Sequence, residues 1–77
     1  SYTRRLLDDE NLRLKKLGEE ASELVLACAR GETERAAEEA ADLWYHAIVA
    51  CAAIDSYPVI PIYQDRQITK LGPERER

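Results

Sequence analysis

Seventy-seven residues make at most one domain, and a chain this short buries so little surface that it needs a disulfide, a metal or a partner chain for support. A formal charge of −4, with no basic stripe and no aromatic platform, argues against a nucleic-acid partner. The longest nearly apolar run, Ala47 to Ile54, is far too short for a membrane span.

Ser1 to Asp9 reads as a short lead-in with apolar anchors at Tyr2, Leu6 and Leu7, and with Asp8 or Asp9 available to cap the helix that follows. From Glu10 to Arg30 the pattern is helical, and Leu14, Leu17, Ala21, Leu24 and Cys28 recur at spacings of three and four as a buried stripe. Gly31 supplies the helix stop and Thr33 an N-cap.

A second helix is expected over Glu34 to Ile54. Past Ala36 its only charged or strongly polar side chains are Glu38, Glu39, Asp42 and His46. A helix apolar on most sides must be covered on most sides, which one neighbour cannot do. The expected architecture is therefore all-α: an antiparallel helical hairpin that pairs with a second copy, as a homodimer or higher homo-oligomer with a four-helix-bundle core. Trp44 and Tyr45 suit its core or interface. Beyond Asp55, Pro58 and Pro61 exclude further helix. The division is thus a helical unit over 1–54 and an irregular tail over 55–77, extended around Val59 to Tyr63 and frayed at its charged end.

In such a hairpin Cys28 lies near the turn and Cys51 near the far end, roughly 25 Å apart at helical rise, so they cannot be bridged. Two buried free thiols fit the reducing cytoplasm.

The hairpin also brings two acidic pairs to one level. Glu20-x-x-Glu23 and Glu39-x-x-Asp42 are placed symmetrically about Gly31, with Glu23 and Glu39 each eight residues from it and Glu20 and Asp42 each eleven. On the first helix Lys16, Glu20, Glu23 and Ala27 share a stripe; on the second, Arg35, Glu39, Asp42 and His46 do. One E-x-x-E pair alone is most simply solvated surface. The second pair, however, interrupts a helix that must be buried, where unpaired charge is costly. Four hard oxygen donors converging there suit Mg²⁺ or Mn²⁺, and through the metal a phosphate-bearing substrate. Lys16 is placed to meet a phosphate. His46 extends the acidic stripe, either as a hydrogen-bonded structural residue or as a substrate contact. Glu38 reads as surface. No E-x-x-H is present for a di-iron site, and no nucleophile elbow or Gly-rich phosphate loop occurs.

Three stretches together, Ser1-Tyr2-Thr3 with Leu6-Leu7, Lys16-Leu17-Gly18-Glu19-Glu20-Ala21-x-Glu23 and Glu38-Glu39-Ala40-Ala41-Asp42-Leu43-x-Tyr45-His46, resemble the phosphoribosyl-ATP pyrophosphohydrolases of the all-α NTP pyrophosphohydrolase (MazG-like) superfamily. The resemblance covers residues 1–54. Family members usually carry a helix before the S-Y-T segment, and the family's closing turn and last helix are replaced here by Asp55-Ser56-Tyr57-Pro58 and the proline-containing tail. It implies Mg²⁺-dependent hydrolysis of phosphoribosyl-ATP to phosphoribosyl-AMP and pyrophosphate in histidine biosynthesis. Glu20, Glu23, Glu39 and Asp42 are then the metal ligands, Glu19 and Glu20 the catalytic carboxylates, and Lys16 and His46 the substrate contacts. Two rivals stand beside this reading: a general nucleoside triphosphate pyrophosphohydrolase, and a helical oligomerisation module with an acidic seam and no turnover.

Overall fold

A computed structural model describes residues 1–58, and the expected extended segment over 59–63 and the frayed end lie outside the described residues. Within the described residues the chain forms three helices and no strand: α1 (Tyr2–Asp8), α2 (Glu10–Ala29) and α3 (Thr33–Ala52).

The short lead-in is itself a helix, α1. Ser1 caps it, its hydroxyl accepting from the Arg4 amide at 3.2 Å. Asp9 then ends α1 in an extended conformation and caps α2, its carboxylate accepting from the Leu12 amide at 3.1 Å. One residue between two helices makes a sharp corner, and Arg13 braces it. Its guanidinium donates to the main-chain carbonyls of Leu6 at 3.2 Å and Leu7 at 3.1 Å, two of the acceptors that the end of a helix leaves free. Leu6 is thereby folded into the interior, with none of its surface exposed.

The hairpin turn is set by Gly31 at φ +69°. The Glu32 amide donates to Ala27 at 3.0 Å and the Gly31 amide to Cys28 at 3.1 Å. This pair of bonds closes the carbonyl end of α2 around a left-handed residue that glycine adopts without strain. The closure leaves Thr33 already helical, so Glu32, not Thr33, occupies the cap position, without a side-chain hydrogen bond. The far end of α3 closes in the same way around Asp55, at φ 60°, with the Ser56 amide donating to Cys51 at 2.8 Å and the Asp55 amide to Ala52 at 3.0 Å.

Helices α2 and α3 pack antiparallel, and α1 lies against both. Their apolar interior is small: Leu6, Ala27 and Val49 are the buried apolar side chains among the described residues. Leu14 and Cys28, expected on the buried stripe of α2, are exposed, and Cys51 is only half-buried. The sequence pattern marks these positions for burial, but the described residues place no element over that side of α2. Trp44 and Ile48, each 40% exposed on α3, pose the same question on the other helix. None of the described helices is long and apolar enough to cross a membrane.

Candidate metal centre

Glu20 and Glu23 stand on successive turns of α2, and Glu39 approaches from α3. Each offers one carboxylate oxygen such that the three lie within 4.8 Å of one another. Glu20 and Glu39 are buried and Glu23 half-buried. On each helix a basic residue one turn earlier engages the outer oxygen of the buried acid: Lys16 Nζ lies 3.7 Å from Glu20 Oε2, and Arg35 Nη2 3.5 Å from Glu39 Oε2. The other oxygens, Glu20 Oε1 and Glu39 Oε1, are buried and have no hydrogen-bond partner.

An arrangement of this kind is unfavourable for the protein alone. Buried carboxylate oxygens without donors cost free energy, and the charges repel. Glu39 registers that cost: its carboxyl is held above the ordinary 4.5, first by burial and then by its contact with Glu23, against partial relief from Arg35. A hard divalent cation satisfies such oxygens directly. The donor set fits Mg²⁺ or Mn²⁺.

Asp42 is not among the three clustered acids, and its side chain is exposed. The reason lies in helical periodicity. The buried line on α3 runs through Glu39, His46 and Val49, and at the intervening turn it passes between Asp42 and the half-buried Leu43. What Asp42 contributes in this structure is its main-chain carbonyl, which accepts from His46 Nδ1 at 2.9 Å.

His46 is buried, and both of its ring nitrogens are engaged. A carbonyl only accepts, so Nδ1 carries the proton; in the neutral ring Nε2 then accepts from the Tyr2 hydroxyl at 3.0 Å. Tyr2 also stacks on Tyr45, with centroids 6.3 Å apart, and the Thr3 and Tyr45 hydroxyls are hydrogen-bonded. The S-Y-T segment thus seats on the Y-H pair of α3. In the sequence Tyr2 reads as an apolar anchor and, with Thr3, as part of a family motif, and neither hydroxyl is given a partner there. The signal available was the presence of hydrogen-bonding groups in both segments, but nothing in their spacing brings them together.

Lys16 sits between the acids and this aromatic cluster. Its ammonium lies 3.4 Å from Glu19 Oε1, and its pKa is raised, chiefly by that hydrogen bond and next by Tyr2. Glu19 is not part of the carboxylate cluster. It is half-buried and lines an open groove on α2 with Leu14, Lys15, Gly18, Ser22 and Glu23. Glu23 is common to groove and cluster. Glu38 is exposed, as expected.

Comparison with known proteins adds a second line of observation. The family model described as phosphoribosyl-ATP pyrophosphohydrolase matches residues 1–66, running past residue 54, where the resemblance read from the sequence ends. The chain is 50% identical over 68 residues to the histidine biosynthesis bifunctional protein HisIE of Gloeobacter violaceus, covering 87% of this chain and 30% of that protein. It is 50% identical over 58 residues to the phosphoribosyl-ATP pyrophosphatase of Methanoregula boonei, covering 71% of this chain and 56% of that one. With the HisIE protein of Prochlorococcus marinus the identity is 40% over 77 residues, covering 96% and 34%. The chain therefore spans from about a third to just over half the length of these relatives. No solved structure matches it significantly.

Proposed function

This chain belongs to the phosphoribosyl-ATP pyrophosphohydrolase family, and we propose that it hydrolyses phosphoribosyl-ATP to phosphoribosyl-AMP and pyrophosphate in histidine biosynthesis. The observation that carries this reading is the pair of buried, unpartnered oxygens, Glu20 Oε1 and Glu39 Oε1, in a cluster with Glu23. Glu20, Glu23 and Glu39 would hold Mg²⁺, or Mn²⁺ in its place, with Asp42, one turn beyond Glu39, as the fourth ligand. The bound cation supplies charge neutralisation for the phosphate oxygens and the pyrophosphate leaving group.

The remaining steps fall to the chain's own side chains. Lys16, part-exposed and tied to Glu19 and Glu20, turns its ammonium to a substrate phosphate. Glu19, in the groove that shares Glu23, orients the attacking water and accepts its proton, with Glu20 beside it in the cluster. His46 has no ring nitrogen left for substrate. It acts by holding α1 against α3.

The same reading includes a homodimer or higher homo-oligomer, two hairpins forming a four-helix core. Its support is the scarcity of buried apolar side chains among the described residues, beside the exposure of Leu14, Val25, Leu26, Trp44 and Ile48. Location in the cytoplasm fits the two free cysteines.

Pyrophosphate release with phosphoribosyl-ATP and with common nucleoside triphosphates, with Mg²⁺ and after EDTA, tests the reading. Metal-dependent release with a preference for phosphoribosyl-ATP is expected. Equal turnover of all triphosphates points instead to a general pyrophosphohydrolase, and no turnover of any to an oligomerisation module.

A further inference from the structure

Two cationic arms flank the carboxylate cluster, and only Lys16 is accounted for by the reading above. The arms are built alike. Lys16 stands four residues before Glu20 and Arg35 four before Glu39, and each touches the outer Oε2 of its buried glutamate while the inner Oε1 stays free. A cation on the inner oxygens therefore does not compete with the arms for position. It does remove their electrostatic reason to stay, because it neutralises the same carboxylates.

The helices run antiparallel, so the arms extend in opposite directions. Lys16 lies toward the open end of the hairpin and Arg35 toward the turn at Gly31. Each is one helical turn beyond the cluster, which separates their backbones by about 15 Å along the hairpin axis. Arg35 is the more accessible, with 58% of its side chain exposed against 30% for Lys16. It also sits in the first turn of α3, whose cap residue makes no side-chain hydrogen bond, so the positive end of that helix adds to the guanidinium's charge. A planar, permanently charged fork is well matched to a phosphate.

We propose that Arg35 is a specificity-determining residue that binds a second anionic group of the substrate, remote from the phosphate chain hydrolysed at the carboxylates. This rests on the assignment of phosphoribosyl-ATP as substrate. That molecule carries a phosphate on its second ribose besides its triphosphate, whereas ATP carries anionic groups at one end only. Lys16 serves the triphosphate, and Arg35 reads the far phosphate across the nucleoside.

Arg35→Gln and Arg35→Lys, compared with wild type in Mg²⁺, test the inference by kinetics and by calorimetry. The kcat/KM ratio of phosphoribosyl-ATP to ATP is expected to fall about tenfold in Arg35→Gln and to recover in part in Arg35→Lys, as for loss of one charge-assisted contact. Calorimetry uses phosphoribosyl-AMP, which keeps the far phosphate, and AMP, which lacks it. Arg35→Gln should weaken the first about tenfold more than the second. Equal weakening of both nucleotides, or of neither, overturns the proposal. A wild-type protein that does not hydrolyse phosphoribosyl-ATP overturns the assigned reaction instead, and the two calorimetric affinities still decide the role of Arg35.

Discussion

Tyr2 and His46 stand 44 positions apart in the chain and are hydrogen-bonded at 3.0 Å. That bond, with the stacking of Tyr2 on Tyr45, fastens a seven-residue helix to the middle of α3. An isolated helix of that length has no stability of its own in water. Its presence depends on the latch, the buried Leu6 and the Arg13 brace.

Tyr2→Phe keeps the stacked ring and removes only the hydroxyl, leaving His46 Nε2 without its donor. It should cost about 1 kcal/mol, read as a lowered urea midpoint with an unchanged slope. An unchanged midpoint would mean that the hydroxyl is not part of what holds α1.

Arg13→Ala strips the Leu6 and Leu7 carbonyls of their donor. A loss of about 1–2 kcal/mol is expected, with faster amide exchange in α1 than in α2 as the specific sign. Uniform exchange changes throughout the hairpin would place the role of Arg13 elsewhere.

Glu39 gives a prediction whose sign depends on the metal. Its pKa is raised in the folded protein above the ordinary 4.5, by burial first and Glu23 next. Between those values the folded state holds a proton that the unfolded state has released, so stability declines as pH rises through that window. The contribution is fully present below the ordinary value and lost above the raised one. Without divalent metal, Glu39→Gln should therefore be more stable than wild type at pH 7.5 and lose that advantage toward pH 4. Adding Mg²⁺ should reverse the order at pH 7.5, since wild type, with all its carboxylates, gains more from binding. Thermal melts of both proteins at the two pH values, with and without Mg²⁺, check each sign.

How much of this was legible in the sequence follows from what each feature depends on. The two long helices, the turn at Gly31 and the meeting of Glu20, Glu23 and Glu39 depend on local periodicity and one glycine, all visible in the chain. Helix α1 does not: Tyr2 to Asp8 is too short to display a period, and its cause is tertiary contact with Arg13 and His46. Counting levels on ideal helices puts Asp42 with Glu20, Glu23 and Glu39, whereas the buried line of α3 passes between Asp42 and Leu43 and leaves Asp42 exposed, one turn from Glu39. The apolar stripe of α2 is legible too, but Leu14 on it is exposed among the described residues, because periodicity marks an apolar face without saying what lies over it.

The proposed pairing with a second copy can be tested on α3. Trp44 and Ile48 are each 40% exposed one turn apart. Replacing both by Glu should shift sedimentation toward the monomer and leave the helical circular dichroism of the monomeric fraction recognisable. Unchanged sedimentation would remove this face from the interface.

The central claim is that Glu20, Glu23 and Glu39 form a divalent-metal site, and Mn²⁺ titration followed by electron paramagnetic resonance tests it most directly. Wild type is predicted to sequester Mn²⁺ in competition with Mg²⁺, and Glu23→Gln to lose at least tenfold in affinity while keeping its helical content. Equal Mn²⁺ binding by wild type and Glu23→Gln, or none by either, would contradict it.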